Sequence, residues 1–237
     1  MKTSRFLAIA SILSLVGTVV AYFYLPDTIP LHWDFEGRID NWGPRWSILA
    51  LGCLPLGVAV LMAWLPRLDP RRESYVKHAK TYEILQVLLV LMMMGLVWIT
   101  VAAALGSSVD VSLAIRILIG ILFIGMGNYL GRLKRNYFVG IRTPWALADD
   151  EVWRLSHRRG ALVFVIIGAS FLLSLAVRPG WIVGTVTLVP TILGVAYVFL
   201  YSWQCWKRLH GDEKPRVPAA GGTSTDAGDK PNKEESL

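Results

Sequence analysis

The chain has 237 residues, of which 54% are apolar and only 17% charged, a balance that excludes an ordinary soluble domain and fits a polytopic membrane protein. The formal charge of +7 follows the loops between apolar runs and gives no reason to expect direct nucleic-acid binding. Cys53 and Cys205, both inside apolar runs, offer neither a metal-ligand spacing nor a disulfide framework, so they read as small buried apolar residues and no cofactor is expected.

Six apolar runs begin at Phe6, Trp46, Ile84, Ser112, Ala161 and Trp181. Each holds roughly 17 to 23 residues, enough at ~1.5 Å per residue to cross a ~30 Å hydrocarbon core. The first run follows Lys2 and Arg5, as a signal peptide would. It is too long for a signal h-region, however, and leads into Tyr22, Tyr24 and Pro26, so it reads as the first of six helices. The predicted fold is an all-α bundle of six transmembrane helices with a short extended or hairpin cap in the first outer loop.

Twenty of the 24 Lys and Arg residues fall in the N-terminus, in 66–83, in 132–160 and in the tail. The alternate loops carry only Arg38, Arg45 and Arg178, and Arg116, near the start of the fourth run, is expected to snorkel to the outer interface. Positive charge stays on the cytoplasmic side during insertion, so both termini are expected in the cytoplasm of a bacterial inner-membrane protein.

The first outer loop alternates apolar Ile29, Leu31, Trp33 and Phe35 with Pro30, His32, Asp34 and Glu36, the period-two pattern of an extended segment, and Gly37 supplies a turn. Trp33, Trp42 and Trp46 suit headgroup depth. His32, Asp34, Glu36 and Asp40 have the chemistry for a divalent cation or a basic peptide, with His32, Asp34 and Glu36 the weak metal candidates. The alternative is a structured cap in which His32 and Asp40 hydrogen-bond the turn. No HExxH sequence and no nucleophile with a base is present, so catalysis is not expected.

The connector 66–83 is basic and suits an anionic leaflet, with His78 read as solvated. Residues 106–111 and 178–180 are short links that force antiparallel neighbours, and Pro55 and Pro190 read as packing features within helices. In the 132–160 loop, Asn136 and Gly140 are turn formers, the Thr143-Pro144 step disfavours helix at Thr143, and Asp149, Asp150 and Glu151 begin a new helix. Trp153 and His157 share a face of that helix. Two readings stand for this loop. It is either a platform where Asn136, Arg142, Trp145, Trp153 and His157 converge on a partner or anionic ligand, or an interfacial helix that pins the loop to the membrane with arginines on lipid phosphates; Arg135, ahead of that helix, is assigned to lipid contact. From about Gly211 to Leu237 the composition predicts a disordered tail.

These two loops resemble those of the SdpI family of bacterial membrane immunity proteins. Pro30, His32, Gly37 and Asp40 are similar to the Pro-x-His and Gly-x-x-Asp marks of that family's N-terminal module, the domain of unknown function 1648. Asn136, Gly140, Ile141, Arg142, Thr143, Pro144, Trp145, Trp153, His157 and Gly160 resemble the SdpI module proper. Ala146 and Ser156 stand where the family more often shows Thr. The resemblance divides the chain into a DUF1648-like module (1–65), a connector (66–83), an SdpI-like module (84–208) and a tail (211–237). It implies resistance to a secreted antimicrobial peptide or protein toxin met on the outer side, and signalling by holding a transcriptional repressor at the membrane. The alternative is a small transporter or membrane enzyme acting on an envelope substrate. Membrane lipids are partners under either reading.

Overall fold

A computed structural model describes residues 2–216. Six long helices account for the six apolar runs: α1 (Lys2–Tyr22), α2 (Ser47–Leu68), α4 (Ala79–Ala104), α5 (Val111–Leu130), α7 (Asp150–Leu173) and α8 (Gly180–His210). Two short helices lie between them, α3 (Arg72–Lys77) and α6 (Pro144–Ala148). Pro55 and Pro190 sit inside α2 and α8 without ending either helix. The extended cap is a two-stranded antiparallel hairpin, β1 (Thr28–Trp33) and β2 (Ile39–Pro44).

The helices pack as two groups of three. One is α1, α2 and α4, the other α5, α7 and α8, and the α4–α5 contact joins them. The sequence grouped α4 with the helices that follow it, yet α4 packs against α1 and α2 as well as α5. Polar side chains tie the first group together: Trp98 donates to Ser14 at 3.0 Å and, at the end of the group, Thr3 donates to Glu83 at 3.0 Å. In the second group α5 and α7 touch backbone to backbone. A Cβ at Gly168 would lie 2.6 Å from the carbonyl of Gly120, and one at Gly127 would lie 2.8 Å from that of Ala161. Small residues are what let membrane helices approach this closely, since lipid is as apolar as a leucine side chain and only tight packing favours association.

The hairpin spans both groups. Its base rests on Leu25, Ile48 and Val101, with Ile29 fully buried among them, while Arg45 stacks over Tyr22 and donates to the Leu25 carbonyl at 3.4 Å. Its tip reaches the other group, where Ser112 of α5 donates to the Phe35 carbonyl at 3.2 Å and the Phe35 ring lies over Gly184 of α8. The strict alternation expected in β1 breaks. Ile29 and Pro30 are both buried, and the register is irregular on either side of His32.

Four placements differ from the sequence reading. Cys53 is exposed on the outside of α2, and only Cys205 is buried. His78 is buried rather than solvated, because the chain between α3 and α4 folds under the 132–142 loop. Arg116 does not simply reach outward: it donates to the Ser112 carbonyl at 3.2 Å and to the Ser174 carbonyl at 2.7 Å, joining α5 to the turn after α7. In the predicted tail, Glu213 is held to α8 by Trp206, which donates to its carbonyl at 2.7 Å; residues 217–237 lie outside the described residues.

Candidate functional site

The two polar loops form opposite ends of the bundle, and each end joins the two helix groups. At the hairpin end, Asp34 is the centre of a tight turn. Its carboxylate accepts from the backbone of Glu36 and Arg38 at 2.9 Å each and from Arg38 Nε at 2.8 Å. Gly37 adopts φ +82°, which this turn requires and which L side chains rarely accept. The Arg38 guanidinium beside Asp34 holds its carboxyl below the usual carboxylate range, and Arg38 also pairs with Glu36 at 2.8 Å. One face away, His32 Nδ1 donates to Asp40 Oδ1 at 2.6 Å. Asp34 and Glu36 therefore turn to Arg38 while His32 turns to Asp40, so the weak metal candidates do not converge. Among the described residues no group of three or more His, Cys, Asp or Glu is placed to hold a metal ion. Pro30 is buried in the strand and fixes the path into this pair.

The other end is built around buried polar groups. Asn136, wholly inaccessible, donates from its amide to the carbonyls of Lys134 and Val139 and accepts from the backbone of Phe138 and Val139, at 2.7 to 3.0 Å. One side chain thereby satisfies four backbone groups that the loop cannot pair by itself. Thr143 caps α6, accepting from Ala146 at 3.1 Å with Pro144 in the first turn, and its hydroxyl meets that of Ser202 on α8 at 2.5 Å. Asp149 caps α7 by accepting from Glu151 and Val152 at 2.8 Å each.

Trp153 and His157 do share a face, with ring centroids 3.9 Å apart, but that face points inward. Trp153 donates to the Leu133 carbonyl at 2.9 Å. His157 is fully buried, donating from Nδ1 to the Trp153 carbonyl and accepting at Nε2 from Ile141. Neither can touch a partner directly, nor can Asn136; the three brace the loop. Ala146 and Ser156 are fully buried beside them. Of the predicted platform, Arg142 is exposed, donating to the Tyr137 carbonyl at 3.1 Å, and Trp145 is half-buried, edge-on to Phe199. Arg135 leaves the lipid role assigned to it. It pairs with Asp150 at 2.7 Å and donates to the Leu147 carbonyl at 3.2 Å.

Sequence reasoning missed Asp69, Tyr75 and His78. Asp69 is almost fully buried, accepting from the backbone of Arg71 at 2.7 Å, from the Tyr75 hydroxyl at 2.9 Å and from the backbone of Tyr137 at 2.9 Å. It fastens the first helix group to the loop of the second. Burial and the Asp69 carboxylate push the Tyr75 hydroxyl well above the ordinary tyrosine range, so it stays a donor. The signal was the Asp69-Pro70 step, an acid before proline in a basic connector. Beside this network lies a cavity of about 1090 Å³ lined by Arg71, Arg72, Lys77, Lys134, Arg135 and Arg154, with fewer acids than bases.

A sequence model of the SdpI/YfhL protein family matches residues 132–202, the loop braced by Asn136 and His157 together with α7 and most of α8. A second, the domain of unknown function DUF1648, matches residues 9–54, which hold the hairpin. The chain is also 26% identical over 212 residues to the immunity protein SdpI of Bacillus subtilis (strain 168), covering 89% of this chain and 99% of that one. The chain belongs to the SdpI family. It is accordingly a multi-pass protein of the bacterial inner membrane and a member of an immunity-protein family. No solved structure matches it. The SdpI and DUF1648 matches thus fall on the two ends where the helix groups are latched together.

Proposed function

We propose that this SdpI-family protein protects its cell from a secreted antimicrobial peptide or protein toxin, acting by binding and not by catalysis. The likeness to an immunity protein over nearly the whole of both chains carries this reading. The hairpin faces outward and senses the toxin, with Pro30, His32, Asp34, Glu36, Gly37 and Asp40 forming or shaping its surface. Both termini and the 132–160 loop lie in the cytoplasm, as the clustering of Lys and Arg supports. The module boundaries at 65 and 84 belong to the same proposal.

Because each end fastens one helix group to the other, a ligand that favours one arrangement of the groups alters the opposite end. A coupling of about 1 to 3 kcal/mol changes partner affinity roughly 5- to 150-fold. The inner partner, such as a transcriptional repressor, meets Arg142, Trp145 and the basic cavity, while Asn136, Gly140, Thr143, Pro144, Trp153 and His157 hold that surface in shape. The test is to express the chain in a toxin-sensitive bacterium, challenge it with candidate peptides, and follow membrane potential together with survival. Retained potential and survival support the proposal; collapse and death equal to the empty-vector strain, at confirmed membrane abundance, overturn it.

A second reading, a small transporter or membrane enzyme for an envelope substrate, draws on the cavity beneath the hairpin that His32, Asp40 and Arg116 line. It requires flux or turnover in proteoliposomes without toxin.

A further inference from the structure

Beneath the hairpin tip lies a cavity of about 440 Å³ between α5, α7 and α8. Its walls are apolar, formed by Ile115, Ile119, Phe171 and Val183. Of the polar residues that line it, His32, Asp34, Asp40, Ser112, Arg116 and Thr187, two charged groups at different depths carry the argument, Arg116 and Asp40. Arg116 lies one helical turn below Ser112, which the hairpin tip contacts, and its guanidinium uses only two donors, on the Ser112 and Ser174 carbonyls. Among the described residues no carboxylate pairs with it. An arginine inside a span without a counter-charge is costly, so the site lacks an anion at that depth. At the rim stands Asp40, one oxygen engaged by His32 and the other without a hydrogen bond among the described residues. Asp34 also lines the cavity, but Arg38 already neutralises it.

The positive group is therefore deep, the negative group shallow, and the space between them opens on apolar walls at the end of the bundle. A simple anion would satisfy Arg116 and leave Asp40 facing like charge. A cation would do the reverse. We propose that this cavity binds the head of an aminophospholipid, with its phosphodiester on Arg116, its ammonium on Asp40 and an acyl chain along Ile115 and Ile119. Arginine matches phosphate through its fork of donors, and a primary ammonium gives hydrogen bonds to carboxylate that a trimethylammonium cannot. A glycerol head would leave Asp40 without a cation. The proposal does not require the toxin reading, and no toxin enters its test.

The experiment uses the purified full chain in detergent, followed by tryptophan fluorescence during heating. Phosphatidylethanolamine, phosphatidylcholine and phosphatidylglycerol of identical chains are added in turn. Phosphatidylethanolamine is expected to raise the midpoint at concentrations at least tenfold below the other two. Arg116→Gln should remove the preference. Asp40→Asn should make ethanolamine and choline lipids equal, and Ile119→Trp, which fills the cavity without altering a polar group, should block all three. Soluble phosphoethanolamine distinguishes the source: competition by it assigns the free headgroup as a ligand, and displacement by the intact lipid alone assigns the bilayer. Equal stabilisation by the three lipids overturns the proposal, as does an ethanolamine preference that survives both Asp40→Asn and Ile119→Trp, the two variants that spare the Arg116 links.

Discussion

His157 Nε2 lies 3.0 Å from the backbone nitrogen of Ile141 and accepts its hydrogen, and the residue before that nitrogen, Gly140, passes so close that a side chain there would strike the same ring. The imidazole and the missing side chain are one device. Gly140 adopts φ +112° to bring Ile141 onto the ring, and the stacked Trp153 holds the ring from the other face.

Gly140→Ala should therefore lower stability through both strain and collision, and His157→Ala by about 1 to 3 kcal/mol through an unsatisfied buried amide. The double variant is expected to lose less than the sum, because removing the ring relieves the collision. Thermal unfolding in detergent of the two single variants and the double variant measures this. Strict additivity would show that the two residues act separately.

The six apolar runs were legible because bilayer thickness imposes a length that composition alone reveals, and the hairpin was legible from its alternation and from Gly37. The i, i+4 pairing of Trp153 and His157 could be read too. Its direction could not, since periodicity says which residues share a face and not what lies opposite. Asp69 and Tyr137 are 68 residues apart, and their contact depends on how α2 ends relative to α5. No local pattern encodes that, so His78 was read as solvated and Arg135 as lipid-facing.

The pairing of half-buried Arg135 with the exposed Asp150, and its bond to the Leu147 carbonyl, separate two lysine substitutions. Arg135→Lys should reduce stability, because one ammonium cannot serve both Asp150 and the Leu147 carbonyl in the guanidinium's geometry. Arg142→Lys should leave the stability within about 0.5 kcal/mol of the parent, as for other exposed positions, yet lose partner readout. Pull-down of a cytosolic partner at matched membrane abundance checks the second half. Full readout by Arg142→Lys would return the loop to a lipid-anchoring role.

At the hairpin, His32→Ala and Asp40→Ala should each impair immunity more than Asp27→Ala. Asp27 is almost wholly exposed and its pair with Arg45, at 3.3 Å, is of the surface kind worth little. Survival after toxin challenge, normalised to membrane abundance, is the readout. Normal protection by both hairpin variants would remove the His32–Asp40 pair from the mechanism.

Orientation is open to chemical labelling. With Cys53 and Cys205 replaced by serine, Asp34→Cys should react with an impermeant maleimide in intact cells and Ala148→Cys should react only after lysis. With both native cysteines replaced, each introduced thiol is the single cysteine of the chain. The opposite pattern would invert the topology, and with it the assignment of toxin and partner to their sides.

His78 should give the latch around Asp69 and the 132–142 loop a pH dependence. Burial holds its imidazole below the usual histidine range, with the Ser74 backbone and the Asp69 carboxylate opposing the effect and Lys134 adding to it. Its Nδ1 accepts weakly from the Lys134 backbone at 3.4 Å. The folded state thus binds this proton less readily than the unfolded chain does. Stability from the neutral ring is complete above the ordinary value of 6.5 and is lost as pH falls from there toward the lower folded value, the unfolded state binding more protons throughout that window. The melting midpoint should accordingly drop as pH falls below the ordinary histidine value of 6.5, and His78→Gln, which cannot titrate, should flatten the drop. An unchanged pH profile in His78→Gln would assign the acid sensitivity to other groups and leave His78 a packing residue against Tyr75.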